Sequence, residues 1–254
     1  MLDVFFLSYN EPYADEHYEK LLEKAPHARR VHGVKGFVEA HRECARQSMT
    51  YNFYVVDADA ILVPDFDFDF TPSKYNYWWE GIPQSECLCV WSSVNPINGL
   101  TYGYGGVKLI PKIPLLRKDK DAIDFSTGFG LPFKVFDRIS NITAFNYDEF
   151  NTWRSAFREC TKLVTNLTNK ELEESDDVDY EELQRARAIT RRRLDTWCTV
   201  GGDEPFGEYA LDGARRGRQF GQENIKNPTQ LKLINDYEWM KNEFTRFFGD
   251  KVKP

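Results

Sequence analysis

The chain has 254 residues, of which 41% are hydrophobic and 29% are charged, and its 33 basic and 40 acidic side chains give a formal charge of −7. This length is enough to bury a sizeable core, and the acidic balance excludes a protein that binds nucleic acid through net positive charge alone, although a local basic face stays open. No stretch reaches the roughly 18 apolar residues of a membrane span, and the amino terminus lacks a secretory pattern. We therefore expect a cytoplasmic protein without membrane contact.

The first sixty residues alternate between apolar runs and amphipathic stretches. The predicted elements are strands at 2–7, 30–34 and 52–56 and helices at 15–24 and 37–47. This alternation with short connections predicts an α/β fold in which a parallel sheet is covered by helices on both faces. The first strand is almost wholly apolar, so we expect both of its faces to be buried.

The middle of the sequence is richer in strand patterns. Residues 65–70 alternate aspartate with phenylalanine, which predicts an amphipathic edge strand with its acids in water. Residues 87–113 carry β-rich runs around glycines, with one strand predicted across 102–110. Residues 137–200 are charged and helical in pattern, with an acidic run at 171–182 followed by a basic run.

The organisation predicted from these patterns is a single domain over 1–254. No linker rich in proline, glycine or serine separates its parts, so residues 1–110 and 111–254 are taken as two halves of one domain. The helical stretch 137–200 is then an insertion within the second half.

Two aspartates one residue apart follow the third predicted strand. In open sheets, ligands lie beyond the carboxyl ends of parallel strands, so Asp57 and Asp59 should share one site with residues 8–11 after the first strand. Paired carboxylates are hard-oxygen ligands that suit Mn²⁺ or Mg²⁺. A cation there would stabilise negative charge on a leaving group. The alternative is a chance aspartate pair in a solvated loop.

Four segments, in order along the chain, resemble motifs of GT-A-fold glycosyltransferases, which transfer sugars from nucleotide-sugars. The segment 55–64 resembles the Asp-x-Asp signature of that family, and 6–11 is similar to the segment that grips the nucleotide base and ribose. The turn at 102–108 resembles one that lies against the donor sugar, and 201–204 resembles the glycine-plus-acid motif that supplies the base. The resemblance implies a GT-A, Rossmann-like mixed sheet flanked by helices, with a helical insertion or C-terminal lobe and a donor-binding half at 1–110.

The resemblance also implies roles for individual residues. The metal would be held by Asp57 and Asp59, and the catalytic base would be Asp203, with Glu204 in reserve. The residues implied in binding the donor are Ser8, Tyr9, Asn10, Glu11, Asp57, Gly105, Gly106 and Lys108. From the residues alone, the two late acids have an equal alternative, which is to begin a helix over 205–213.

Two further features bear on the donor site. Lys35 lies between glycines and is a candidate for the diphosphate, with a plain surface turn as an equal alternative. Many GT-A enzymes complete the metal site with a late histidine, but the four histidines here, His17, His27, His32 and His41, all precede Asp57. The metal is therefore expected to rely on Asp59, on Asp57 through water, and on the diphosphate.

A closer resemblance is to glycosyltransferases of tailed bacteriophages, some of which place glucose or arabinose on 5-hydroxymethylcytosine in phage DNA. It is carried by the segments 95–100, 145–146, 153–160 and 195–198. It implies a UDP-sugar donor, an acceptor of double-stranded DNA containing hydroxymethylated cytosine, and the cytoplasm of an infected host. The residues predicted to face the acceptor are Trp153, Arg154, Arg158, Arg191, Arg192, Arg215 and Arg216. For Arg154 and Arg158 a structural salt bridge is the alternative, and for the run 185–193 helical charge pairing.

Other functions stay open from the sequence. A glycosyltransferase with a non-DNA acceptor fits the same motifs. A Mg²⁺-dependent nucleotidyltransferase also joins an α/β sheet to paired aspartates, but its usual glycine-rich phosphate loop is missing after the first strand. A third, non-enzymatic interpretation is a DNA-binding or virion-associated module whose acids are simply solvated.

Overall fold

The computed structural model describes residues 1–103, 105–117, 131–167 and 180–249. Tyr104 in the predicted glycine turn, and 171–179 of the predicted acidic run, lie outside the described residues. The chain divides into two compact units. The sheet unit contains Met1–Asn95 and Thr101–Ala144, and the helical unit contains Pro96–Leu100 and Phe145–Pro254. The division falls after Ala144, not at the boundary of the expected halves at residue 110.

The elements of the sheet unit follow one another with short connections. They are β1 (Asp3–Ser8), α1 (Ala14–Lys24), β2 (Arg29–His32), α2 (Phe37–Gln47), β3 (Asn52–Asp57), β4 (Ala60–Leu62), β5 (Tyr77–Trp79), β6 (Ile82–Pro83), a 3₁₀ turn (Gln84–Glu86), β7 (Leu88–Val94), β8 (Thr101–Tyr102), β9 (Val107–Pro111), α3 (Lys112–Leu116) and β10 (Phe133–Thr143).

The main sheet has the strand order β2-β1-β3-β9-β7-β10-β4, and β8 pairs with β7. β1 is parallel to both β2 and β3, which confirms the parallel arrangement predicted for the first three strands. β9 is antiparallel to β3 and to β7, so the sheet as a whole is mixed. The predicted α/β class, a Rossmann-like mixed sheet flanked by helices, is therefore confirmed.

The apolar sequence of β1 is explained by burial on both sides of the sheet. Val4 and Phe6 belong to the same core cluster as Leu21 of α1, whereas Phe5 packs in a second cluster with Cys44 of α2. Successive side chains of a strand point to opposite faces, so each helix covers one set. The side chains of β3 alternate between the same two clusters. Packing on both faces of the sheet therefore holds the carboxyl ends of β1 and β3 in place.

Three sequence predictions in this unit are wrong. Residues 65–70 form no strand; the phenylalanines still turn inward, with Phe66 buried, and the aspartates are exposed, but the segment lacks ladder hydrogen bonds. The strand expected over 102–110 is two strands, β8 and β9, separated by the glycine turn. Residues 137–143, expected to open the helical insertion, belong to β10, which pairs with β7 on one side and β4 on the other.

The helical unit contains helices packed through small residues. Its elements are α4 (Glu149–Leu167), α5 (Tyr180–Thr199), α6 (Gly207–Glu223), α7 (Pro228–Leu231), a 3₁₀ turn (Lys232–Asn235) and α8 (Tyr237–Phe248). A Cβ atom on Gly213 would overlap the carbonyl of Trp153, and one on Gly217 would overlap that of Phe157. The glycines therefore allow α6 to lie directly against the backbone of α4.

Among the described residues, no helix combines the length and the apolar character needed to cross a bilayer.

Candidate functional site

The carboxyl ends of β1, β2 and β3 meet at one edge of the sheet. Ser8 is opposite His32 in the β1–β2 register, and Leu7 is opposite Asp57 in the β1–β3 register. The Ser8 hydroxyl donates to or accepts from His32 Nδ1 at 3.0 Å and accepts from Arg30 Nε at 2.8 Å. The residues that follow β1, Asp57 at the end of β3 and Asp59 just after it thus share the edge at which open sheets bind ligands.

An open cavity of about 460 Å³ lies beyond β1 and β2. Its lining residues are Asn10, Glu11, Pro12, Ala14, Asp15, Arg30 and His32. Arg30 lines the cavity and forms an ion pair with Asp15 at 2.5 Å. The Glu11 carboxylate accepts the backbone N–H of Tyr9 at 2.7 Å, and Tyr9 itself is exposed. The polar lining suits a ligand rich in hydrogen-bonding groups.

Arg30 and Asp15 were missed by sequence reasoning. Each looks like an ordinary surface charge in its own element, and their ion pair joins α1 to β2. Lys35, which was a candidate for binding the diphosphate, is exposed on the turn between β2 and α2. Gly33 and Gly36 on that turn both have positive φ angles, which explains the two glycines.

Asp57 is bound by a buried lysine. Lys108 is placed beside β3 by the antiparallel β3–β9 ladder, where Val55 is its partner. Its ammonium donates to both carboxylate oxygens of Asp57, at 2.7 and 2.6 Å. Lys108 was predicted to contact the donor; in the structure it is buried and directed at Asp57 instead.

The glycine turn before β9 supports this ion pair. A Cβ atom on Gly105 would lie 3.3 Å from Cε of Lys108, and one on Gly106 would overlap the side chain of Asn141. The carbonyl of Gly106 also accepts the backbone N–H of Asp57 at 2.9 Å. The predicted donor-binding glycines therefore have a packing role that the structure shows directly.

Asp59 lies on the two-residue turn after β3. Burial, together with the nearby Asp57 and Glu11 carboxylates, raises the pKa of its carboxyl to about 7, against the opposing effect of Lys108. Burial also raises the pKa of Asp57, with Lys108 acting in the opposite direction. The buried His17 donates from Nδ1 to the carbonyl of Ala58 at 2.7 Å and so holds the turn in place.

The chemistry of these side chains, although not their arrangement, suits a hard divalent cation. Glu11, Asp57 and Asp59 with Lys108 carry a net charge of −2 when all are ionised, and carboxylate oxygens are preferred by Mg²⁺ and Mn²⁺. Among the described residues, no group of three or more histidine, cysteine, aspartate or glutamate side chains is arranged to hold a metal ion.

Asp203 and Glu204 lie in the helical unit on the turn before α6, and both are exposed. The turn is closed by hydrogen bonds from the Glu204 N–H to the Gly201 carbonyl and from the Gly207 N–H to the Glu204 carbonyl. A Cβ on Gly201 would overlap the carbonyl of Ile97, which explains the glycine. Helix α6 begins at Gly207, so the two acids precede its first turn instead of forming it.

Several residues predicted to face an acceptor pack against other side chains of the helical unit. Trp153 is fully buried, and its indole N–H donates to Asp212 at 2.9 Å, so its ring is not available for stacking on a base. Arg154 lies over the ring of Tyr237, and Arg158 donates to Asn235 at 2.8 Å. Their aromatic and basic sequence pattern reflects packing between α4 and its neighbours.

The other predicted acceptor residues differ in exposure. Arg216 pairs with Asp212 at 2.6 Å and covers the ring of Phe247. Arg191 and Arg192 are exposed on α5, and Arg215 is exposed on α6, with its Nε donating to the carbonyl of Cys198. Among the predicted acceptor residues, the exposed ones are therefore Arg191 and Arg192 on α5 and Arg215 in the middle of α6.

No protein family model and no curated protein matches this sequence. Among solved structures, the chain is similar to the crystal structure of HddC from Yersinia pseudotuberculosis, with a TM-score of 0.34 and 11% sequence identity; the match covers 57% of this chain and 92% of that chain. A TM-score this low does not indicate a shared function.

Proposed function

We propose that the protein is a metal-dependent glycosyltransferase that takes a sugar from a nucleotide-sugar. The observation that carries this proposal is the arrangement at the carboxyl edge of the sheet. There, a polar cavity beyond β1 and β2 shares the edge with the Asp57–Asp59 turn, where Lys108 pairs with the carboxylate of Asp57. A polar nucleoside beside a cation-binding turn is the combination that nucleotide-sugar chemistry requires.

The sheet unit supplies the donor site in this proposal. Ser8, Tyr9, Asn10 and Glu11 bind the nucleoside of a UDP-sugar, with Arg30 and Asp15 forming the wall of the cavity. Asp59 holds Mn²⁺ or Mg²⁺ together with diphosphate oxygens. When bound, the cation neutralises the charge that develops on the departing nucleotide. Lys35 is placed on an exposed turn from which a long side chain is free to approach phosphate.

The proposal also needs a base for the acceptor hydroxyl. Asp203 takes the proton of the acceptor hydroxyl as the new bond to the anomeric carbon forms and the bond to the diphosphate breaks, with Glu204 as the alternative base. The acceptor we propose is the hydroxymethyl group of 5-hydroxymethylcytosine in double-stranded DNA, in the cytoplasm of an infected host. The exposed Arg191, Arg192 and Arg215 support this choice, because arginine side chains bind DNA phosphates without reading sequence.

The proposal is tested by incubating the protein with Mn²⁺, UDP-glucose or UDP-arabinose, and duplex DNA containing 5-hydroxymethylcytosine. Released UDP and the masses of the digested nucleosides are measured. Transfer should fall by about 100-fold or more in Asp59→Asn, because the cation loses its protein carboxylate.

The matched control is Asp65→Asn, which removes an exposed aspartate from a loop elsewhere in the sheet unit and should leave transfer unchanged. UDP release without any modified nucleoside would support the glycosyltransferase proposal and contradict the proposal that DNA is the acceptor. Absence of UDP binding and of turnover with every donor would reject the proposal itself.

A further inference from the structure

Three polar side chains are joined by hydrogen bonds at the end of β1 and β2. In the β1–β2 register Ser8 is opposite His32, and Phe6 is opposite Arg30. Side chains two residues apart share one face of a sheet, so all of them lie on the face where Phe6 packs against α1. Arg30 Nε lies 2.8 Å from the Ser8 hydroxyl oxygen, and His32 Nδ1 lies 3.0 Å from the same atom. The Ser8 hydroxyl therefore joins the arginine to the histidine.

The direction of these hydrogen bonds follows from the chemistry of the three side chains. A guanidinium only donates, so the Ser8 oxygen accepts from Arg30 Nε. Ser8 is 4% exposed, and a buried hydroxyl proton without an acceptor is unfavourable. Among the described residues, His32 Nδ1 is the acceptor that the structure places within reach of that proton. If Nδ1 accepts the hydroxyl proton, the proton of the neutral imidazole is on Nε2.

Arg30 is held in place by contacts on its other sides. Its Nη1 donates to Asp15 of α1 at 2.5 Å. Its guanidinium also lies over the rings of Phe6 and Tyr18, at 5.8 Å from each ring centre. These contacts keep Nε directed at Ser8, so one chain of hydrogen bonds runs from Asp15 through Arg30 and Ser8 to His32.

His32 is the exposed end of this chain. It is the last residue of β2, and it lines the open cavity. Because Ser8 occupies Nδ1, the ring nitrogen that can contact a ligand is Nε2. An N–H group at that atom binds a carbonyl oxygen and opposes an amino group. Uracil has a carbonyl oxygen at the position where cytosine has an amino group.

We propose that His32 is a specificity-determining residue of the cavity, whose Nε2–H donates to a carbonyl oxygen of the nucleobase and so selects uracil over cytosine. The chain from Asp15 fixes the tautomer that this role requires. The inference rests on the proposed function, because it assumes that a nucleotide occupies the cavity. It deepens that function by assigning the choice of base to one side chain.

The first test compares the binding of UDP and CDP to the full chain by isothermal titration calorimetry in the presence of Mn²⁺. The wild type should bind UDP about tenfold more tightly than CDP, because the amino group of cytosine leaves the Nε2–H without an acceptor. In His32→Leu the ratio should fall to within about twofold, mainly through lost affinity for UDP. His27→Leu, which removes an exposed histidine that precedes β2, is the matched control and should keep the wild-type ratio.

The second test observes the tautomer directly and needs no ligand. The protein is labelled with ¹⁵N-histidine, and the ring signals of His32 are those absent from the spectrum of His32→Leu. At about pH 8, where an ordinary imidazole is neutral, Nε2 should carry the proton and Nδ1 should have the shift of a hydrogen-bond acceptor. In Ser8→Ala the Nδ1 signal should move, because the hydroxyl that donates to it is lost. A proton on Nδ1 in the wild type would overturn the inference. Thermal unfolding checks that each variant is folded.

The failure of this inference is distinguishable from that of the proposed function. If the wild type binds UDP and CDP equally, or if His32→Leu keeps the preference for UDP, the role of His32 is wrong and the proposed function stands. If the wild type binds neither nucleotide, both proposals are wrong.

Discussion

Single side chains at the carboxyl edge of the sheet have properties that their sequence neighbours do not reveal. Lys108 reads as a donor contact in a glycine-rich turn, but the β3–β9 ladder places it against Asp57. His17 and Arg30 look like surface residues, yet one holds the Asp57–Asp59 turn and the other lines the cavity. These contacts join residues 22 to 51 positions apart, which a local pattern does not encode.

The buried His41 should make the free energy of unfolding depend on pH. Burial and the nearby charge of Lys108 together lower its folded-state pKa from 6.5 to about 3. Between these values the unfolded chain binds a proton that the folded chain does not, so the free energy of unfolding should fall as the pH falls. The loss from this group should be about 2 kcal/mol between about pH 7 and about pH 5.

The measurement is urea unfolding of wild type and His41→Gln at both pH values. The variant lacks the titrating group, so its stability should change less with pH. His27→Gln, at an exposed histidine, is the control and should keep the wild-type slope. An unchanged slope in His41→Gln would contradict the assignment.

At the scale of elements, contact between α4 and α6 depends on glycines. Gly213→Ala should destabilise the protein by about 1 to 3 kcal/mol, because the added Cβ overlaps the Trp153 carbonyl and forces the helices apart. Helix propensity alone would predict the opposite sign, since alanine is favoured over glycine by about 1 kcal/mol in a helix interior. Thermal unfolding separates the two effects.

Gln219→Ala on the exposed face of α6 is the matched control for that measurement, and a change of less than about 0.5 kcal/mol is expected. Stabilisation of the protein by Gly213→Ala would show that the helices can separate without loss and that close packing is not required.

Much of the sheet unit could be predicted from local sequence, and the reasons are physical. β1, α1, β2, α2 and β3 have strong periodicities because each element buries one or both faces against a neighbour close in sequence. Residues 65–70 have the alternation of a strand, but hydrogen-bond partners decide whether a strand forms. Residues 137–143 were predicted as helical because their polar pattern is similar to that of the helices that follow, and their pairing with β7 and β4 is long-range.

The candidate site was predictable to a similar extent. The aspartates after β3 and the segment after β1 follow from the rule for parallel strands. The inward packing of Trp153 and Arg158 could not be predicted in this way. A helix that contains aromatic and basic residues has the same composition whether these residues pack inward or face a ligand. Their burial depends on α6 and on the turn before α8, which local sequence does not reveal.

At the scale of the whole molecule, the net charge of −7 is combined with a local excess of accessible arginine on α5. If this helix binds the DNA backbone, affinity for duplex DNA should fall linearly on a logarithmic plot against salt concentration. Arg191→Ser/Arg192→Ser should reduce the magnitude of that slope by about 2, because two phosphate contacts are lost.

Fluorescence polarisation with labelled duplex DNA over a range of NaCl concentrations measures this slope. Arg46→Ser removes an exposed arginine from α2 that is paired with Glu39 and Glu43, and it should leave the slope unchanged. Equal slopes for the α5 variant and the wild type would exclude this helix from DNA binding.

The position of β10 has a consequence for synthesis of the chain on the ribosome. β1, β2 and β3 can pair as soon as the first 57 residues have emerged, whereas β4 pairs with β10, which ends at Thr143. Until then β7 has one open side and β4 has no partner in the main sheet, so a nascent or truncated chain exposes strand edges that favour aggregation. Release of a fragment ending before residue 133 should therefore give an insoluble product, while translation past residue 143 completes the sheet.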